Sequence, residues 1–551
     1  MDIDTALGTA FATGVLLHAS LFRIGEWDLW GTQLMRAPFV LLAILSVALT
    51  WLKPAEPILQ SFKFACQLDA ALLGGIFVSM LVYRAFFHRL RAFPGPFAAR
   101  LSSLYMTRQA LKKMQPCHEL KKLHDQYGEF VRIGPMELSI TEPAAFRDIY
   151  ANSSPCEKGP VYSHGHPSET VVEIRSRKRH APKRKLWDYA FTTQALNDYE
   201  DRIERYTNQL LGRIEEQKGA AFDIRRWFSF YTFDVMGELA FGKSFRQLED
   251  NVEHYMSQVA HEGQRMIGGV LIYQPWFMAT FRTTPILNRD WLKLQSWSDE
   301  QIKNRLSNEP EKPDIFHWVS SEYRLNPSPT PLDKLNLKAE IRAIVIAGSD
   351  TTSMTLVGLF YHLVKAPRVL ARLRDEIDGL AAQGDQALTK NASLAKLGYL
   401  QACIDESLRL LPVVPTRLQR MTPPEGVQIG SRWIPGNTTV IAPSWILCRD
   451  PRCFARPEEF IPERWTTEPD LVLDASVYAP FSIGRTSCAG KQLALIELRR
   501  TVALILHRYD FALAPEQRIE AFESGLEDHF TLNPPEFKLV FKAREVPSLT
   551  D

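Results

Sequence analysis

Three apolar runs crowd the first ninety residues, and they constrain the fold more than any other feature of the chain. Ala37–Leu52 (APFVLLAILSVALTWL) carries no charge, Ala6–Phe22 is uncharged apart from His18, and Phe64–Tyr83 is interrupted only by Gln67 and Asp69 near its start. A helix that crosses a bilayer needs roughly 20 such residues, with a lower limit near 17. The acidic opening MDID reads against a secretory leader, which begins with basic residues. Arg84, His88, Arg89 and Arg91 follow the third run, so the positive-inside rule places the rest of the chain in the cytosol. Three crossings then put the N-terminus in the lumen and a loop holding Arg23 and Arg36 in the cytosol; the alternative is one crossing with two helices lying on the surface. Phe93–Pro96 (FPGP) cannot continue a helix. It reads as a stiff hinge dividing a membrane region, 1–92, from a catalytic body, 93–551.

The 551 residues carry a formal charge of +2, which argues against a general polyanion binder, and 45% are hydrophobic, enough for a substantial core. The seven cysteines show neither zinc spacing nor a compact disulfide framework, as expected of reduced thiols. Helical periodicity predicts helices over Asp198–Gln217, Asp223–Phe241, Leu337–Val364, Arg368–Ala382, Ala395–Leu411 and Lys491–Tyr509. Strand patterns occur at Phe130–Ile133, Leu138–Ile140, Val427–Ile429, Thr438–Ala442 and Phe537–Val540. The expected body is mainly α with small β-sheets.

One thiol stands apart. Cys488, in PFSIGRTSCAGKQLALIELRR (Pro480–Arg500), lies in a glycine-containing loop directly before a helical run. Unpaired N–H groups and the dipole at a helix start favour thiolate. Gly484 and Gly490 would let a flat ligand approach the backbone, and Phe481 could pack beneath the sulfur. A soft anionic sulfur in a dry loop suits haem iron. Most lone cysteines are ordinary buried thiols; the full pattern F-x-x-G-x-x-x-C-x-G weighs against that here.

With these residues, positions 90 to 545 resemble the cytochrome P450 haem-thiolate monooxygenases, carrying four motifs in the family's order. The resemblance makes Cys488 the axial ligand of a haem b iron, with dioxygen bound opposite. It assigns Asp350 and Thr351 of AGSDTT (Ala347–Thr352) to the acid–alcohol pair that delivers protons. A helical threonine can bond the carbonyl four residues back, here Ala347, and Gly348 would add room for dioxygen. Glu406 and Arg409 of ESLR, with Arg464 of FIPERW, become a structural trio. His180, Arg184 and Arg420 become contacts of the haem propionates. The chain departs from the pattern at one place: the usual basic residue two before the cysteine is Thr486, with Arg485 one position earlier.

The resemblance also implies electrons from an NADPH-dependent flavoprotein reductase, an acidic partner for the basic stretch Arg175–Lys185. Nothing in that stretch matches a nucleic-acid-binding pattern. Ala343, Val413, Val414 and Thr416 are expected beside the substrate, and Arg417 could meet a polar group on it. The N-terminal runs and the cysteine loop resemble endoplasmic-reticulum members from filamentous fungi that tailor secondary metabolites, of the tryprostatin hydroxylase type. They imply a lipophilic indole alkaloid, terpenoid or polyketide as substrate. Two rival readings are a haem-thiolate isomerase or dehydratase that needs no external electrons, and a non-enzymatic haem-binding membrane protein. The sequons at Asn152, Asn391 and Asn437 would go unused in a cytosolic body.

Overall fold

The computed structural model describes residues 2–284, 289–308, 310–384, 387–416 and 418–545. Its N-terminal region is three long helices: α1 (Ile3–Leu17), extended by a π turn to Phe22; α2 (Gly31–Leu52); and α3 (Ile58–Val82), extended by a π turn to Phe87. Each segment is long and apolar enough to cross a bilayer. They exceed the apolar runs because a helix continues through polar residues at its ends. Arg36, expected in a loop, lies inside α2, so the connecting loop is residues 23–30. The outward side of α2 is apolar: Phe39, Val47 and Trp51 are 74%, 71% and 81% exposed, a surface suited to lipid and not to water.

Small residues decide how these helices meet. A Cβ on Gly14 would lie 2.1 Å from the Leu72 carbonyl oxygen, and one on Gly75 would lie 2.1 Å from that of Phe11. Only glycine permits this approach, a common device where helices pack without a hydrophobic driving force. His18 Nδ1 lies 2.8 Å from Ser79 Oγ. The levels Phe11/Gly75 and His18/Ser79 show that α1 and α3 run in the same direction. The short turn 53–57 makes α2 and α3 a hairpin.

The loop 23–30 returns to the body. Both Glu26 oxygens accept from the Arg175 guanidinium, at 2.6 and 2.8 Å. The Trp276 N–H donates to the Asp28 carboxylate. Gly31 lacks the Cβ that would come within 2.7 Å of the Trp276 carbonyl oxygen. The hinge is equally tight: the Arg132 N–H donates to the Pro94 carbonyl at 2.7 Å, and Gly95, at φ 155°, leaves no space for a side chain beside Arg132.

The body is mainly helical. The helices that position the site are α4 (Arg177–Ala190), α5 (Ile224–Phe241), α6 (Tyr255–Met266), α7 (Trp276–Thr283), α8 (Pro331–Lys365), α9 (Gly398–Leu410) and α10 (Lys491–Arg508). Helix α8 runs through the centre and begins with a Thr330/Asp333 capping box. It too is long and apolar enough to cross a membrane, yet most of it is buried in the body, against α5 and α10 among others. The largest sheet orders β1 (Phe130–Gly134), β2 (Glu137–Ile140), β3 (Glu157–Lys158), β4 (Arg420–Met421) and β5 (Thr439–Ile441) as β1-β2-β5-β4-β3. A second sheet joins Ala221–Asp223, Lys538–Ala543 and Tyr509–Leu513. Each helix and strand expected from periodicity is present; Val427–Ile429 has the expected bounds and the others shift at one or both ends.

The Glu26–Arg175 pair is half-exposed, so it is worth only about 1 kcal/mol or less. Glu26→Gln should therefore speed amide exchange in residues 24–31 and in α7 by about threefold, and the swapped pair Glu26→Arg/Arg175→Glu should restore it. Unchanged exchange in Glu26→Gln would contradict the clasp.

Candidate active site

The loop ahead of α10 is closed by its own backbone. The Cys488 N–H donates to the Phe481 carbonyl at 2.8 Å, and Ser487 N–H to that of Gly484 at 3.1 Å. Cys488 is the one exposed cysteine of the seven; the others are buried or half-buried. It is nonetheless deep among protein atoms: burial pushes its thiol pKa up, opposed by the Gly490 and Lys491 amides and by the Arg184 and Lys491 charges. The amides at the helix start act in the expected direction, toward thiolate, while burial acts against them. Phe481 packs half-buried against the core, with the Lys491 ammonium 5.6 Å from its ring centre.

The two loop glycines differ. Gly484, at φ 74°, is filled against the chain itself: a Cβ there would lie 2.6 Å from the Tyr150 carbonyl oxygen. Its place is set by segment 150–152, not by room for a ligand. Around Gly490 the nearest atom to such a Cβ is Phe191, at 3.8 Å, so space remains there.

Helix α8 leaves one stripe uncovered in its middle. Ala343, Ala347 and Thr351, four residues apart, stay half or fully exposed while Ile344, Val345, Ser349 and Thr352 are buried. The Thr351 hydroxyl donates to the Ala347 carbonyl at 2.8 Å, the bond expected from the sequence. Gly348 serves a different end from the one expected: a Cβ there would lie 2.6 Å from the Met236 sulfur, so its absence fits α8 to α5. Asp350 points off the stripe. Its carboxylate accepts from Gln264 Nε2 at 2.5 Å and lies 3.2 Å from His261 Nε2. His261 Nδ1 is in turn 3.0 Å from Glu253. Burial pulls the His261 pKa down, but hydrogen bonds and charge from Asp350 and Glu253 outweigh it and raise it to about 9. These residues line a cleft of about 830 Å³ beside α8. From the sequence, His261–Arg265 (HEGQR) reads only as a zinc pattern lacking its second histidine; the Asp350 partner of His261 and Gln264 lies about ninety residues away and leaves no local signal.

A second, small pocket lies beside the cysteine loop. It is lined by Lys158, Arg175, Arg177, His180, Arg420 and Arg485, with Glu157 its only carboxylate among the described residues, and by Thr486 and Tyr150. This donor set fits an anionic ligand with carboxylates, such as the propionate edge of a haem. Of the expected contacts, His180 and Arg420 line it. Burial and the nearby Lys158, Arg184 and Arg485 charges push the His180 pKa down to about 4, so it is neutral. Arg420 donates to the Gln419 carbonyl and, at 2.7 Å, to Thr486 Oγ1. Arg485 turns toward the carbonyls of Asn152 and Ser154. Arg184 is not among the lining residues: it pairs with Asp188 and donates to the Ser487 carbonyl, bracing the cysteine loop from α4. Lys158 was absent from the sequence reading; a buried lysine in a two-residue strand leaves no local signal.

Glu406, Arg409 and Arg464 meet in the interior, all at 1% exposure or less. The Glu406 carboxylate accepts from Arg409 Nε and Nη2, Arg464 Nε, Trp465 Nε1 and the Ile461 N–H, each at 2.9 Å. Arg409 also donates to the carbonyls of Cys448, Pro457 and Glu459.

Of the expected substrate contacts, Ala343 lies on the open stripe and Val414 is half-buried. Thr416 is 2% exposed and donates to Asp528 at 2.8 Å, while the Val413 carbonyl accepts from the Leu532 N–H. Thr416 thus fastens the hairpin 527–533 rather than presenting its hydroxyl to a ligand. Arg417 lies outside the described residues. The basic stretch is partly neutralised: Arg175 pairs with Glu26, Arg179 with Glu169, Lys183 with Glu322 and Arg184 with Asp188, leaving Lys178 and Lys185 exposed.

Removing the charge of Glu406 leaves two buried guanidinium groups uncompensated, which costs about 3–5 kcal/mol. Glu406→Gln should lower the thermal midpoint followed by haem absorbance and reduce haem per polypeptide; a wild-type midpoint would contradict this role.

The cytochrome P450 family model matches residues 95–541. Over 536 residues the chain is 44% identical to cytochrome P450 monooxygenase FCK2 of Fusarium pseudograminearum, covering 97% of each chain. It is 36% identical over 543 residues to cytochrome P450 monooxygenase phqL of Penicillium fellutanum, covering 98% of this chain and 95% of that one. Over the same length it is 35% identical to tryprostatin B 6-hydroxylase of Aspergillus fumigatus, covering 98% and 96%. The match spans almost the whole body and the relatives extend through the N-terminal helices: the chain belongs to the cytochrome P450 family and is a haem-dependent monooxygenase.

Proposed function

We propose that this monooxygenase crosses the endoplasmic-reticulum membrane three times, with its body in the cytosol, and oxidises a lipophilic secondary metabolite of the indole alkaloid, terpenoid or polyketide class. The observation that carries the reading is the single exposed thiol, Cys488, placed at the start of α10 beside a cation-lined pocket. The parallel run of α1 and α3, and the contact of loop 23–30 with the body, support three crossings. The tryprostatin B 6-hydroxylase relative supports an indole-type substrate.

Cys488 would hold the haem iron, and His180 and Arg420 its carboxylates. Haem, when bound, supplies dioxygen activation driven by one-electron reduction, with the thiolate favouring O–O cleavage. The chain's own residues position and protonate. The bond from Thr351 to Ala347 fixes its hydroxyl on the open stripe of α8, where it can pass a proton. Asp350 faces the cleft with His261 and Glu253, so protons from solvent have a line of titratable groups leading to α8. Small residues at Ala343 and Ala347 leave room for the substrate. Electrons come from an NADPH-dependent flavoprotein reductase whose acidic face docks on the Arg175–Lys185 side, chiefly through Lys178 and Lys185, which remain exposed.

Thr351 weighs against an isomerase or dehydratase, which has no need of proton delivery to dioxygen. The enzyme in lipid nanodiscs with reductase, NADPH and candidate metabolites should place one atom of labelled dioxygen in the product. Thr351→Ala should keep the haem spectrum but lower product per NADPH by roughly tenfold or more, within the range for positioned proton transfer. Product without label, or turnover without reductase, would overturn the proposal.

A further inference from the structure

Lys158 is a cation in the wrong place for its protein neighbours. It is 6% exposed on β3, and its Nζ donates to the carbonyls of Val171 and Val172 at 2.9 and 2.7 Å. Glu173 and Glu340 are near enough to act on it by charge, but among the described residues neither carboxylate bonds to it. Burial and the adjacent Arg420 pull its pKa down to about 7. Arg420, 5% exposed, likewise has no carboxylate partner among the described residues. A buried charge without a counter-charge is expensive, so two of them lining one pocket point to an anion that completes the site.

The other arginines of the pocket are less buried and are directed at protein acceptors, with Arg177 Nε left without a hydrogen bond among the described residues. Arg175 is forked on Glu26, Arg177 is turned to the Ser154 and Cys156 carbonyls, and Arg485 to those of Asn152 and Ser154. Thr486 holds Arg420 in place by accepting its Nη2. An ammonium has three protons, and two of those on Lys158 are spent on carbonyls, leaving one for a ligand.

We propose that Lys158 binds a carboxylate of the haem, supplying the positive charge that the cysteine loop lacks at Thr486. Its bonds to Val171 and Val172 couple that contact to the loop 159–176, which α8 also holds through Glu340 on the Val171 N–H.

The inference rests on the haem reading above, and the test separates the two. Wild-type holoenzyme must first show bound haem; if it does not, the haem reading fails. Haem transfer to excess apomyoglobin is then timed for wild type, Lys158→Gln and Lys158→Arg, each loaded with haem or with its dimethyl ester. Glutamine keeps a donor for the carbonyls and removes the charge. Lys158→Gln should lose haem about tenfold faster than wild type, and Lys158→Arg within about threefold of it, the scale of one charge-assisted hydrogen bond. With the dimethyl ester, whose carboxylates are masked, the variants should release haem at one rate. Equal loss of natural haem, or a defect of the same size with the ester, would overturn the proposal. Should Lys158→Gln not fold, the resonance Raman carboxylate-bending band of Lys158→Arg decides: a shift from wild type supports the contact, and an unchanged band refutes it.

Discussion

A single buried carboxylate organises the proximal half of this protein. Glu406 gathers five donors from Arg409, Ile461, Arg464 and Trp465, joining α9 to the segment that leads into the cysteine loop. A charge taken out of water this completely is tolerated only when every lone pair is satisfied, and here they are. Arg409 extends the network to three further carbonyls, so the stretch from Cys448 to Trp465 has one position relative to α9. Arg184 braces the cysteine loop from the opposite side through the Ser487 carbonyl.

The membrane region is more than a tether. Glu26 and Asp28 meet Arg175 and Trp276, and Arg175 also donates to the Lys158 carbonyl. A continuous path of polar contacts therefore runs from the loop between α1 and α2 to the cationic pocket. The N-terminal helices, the setting of α7 and the cationic pocket are linked through a few side chains.

What the sequence made legible was local or periodic. The helices and strands follow from apolar spacing, and Thr351 could be assigned its bond because the acceptor lies four residues back. The ESLR and FIPERW trio was read from a resemblance, since its members are about sixty residues apart. Long-range pairings carried no such signal. His261 acquires its partner from α8, and Lys158 acquires its surroundings from β4 and the loop at Val171. Glycines were the least readable: Gly484 is needed by the Tyr150 backbone and Gly348 faces the Met236 side chain, neighbours that composition cannot name. Thr416 looked like an apolar-pocket residue and proved to be a tie to Asp528.

The proposed oxygenation stands on the Cys488 sulfur as the haem's protein ligand. The carbon monoxide difference spectrum of the reduced protein, in wild type and Cys488→Ser, tests it most directly. A thiolate-type Soret band in wild type that disappears in the serine variant is the predicted result. The same band in Cys488→Ser, or a nitrogen-ligated spectrum in wild type, would contradict it.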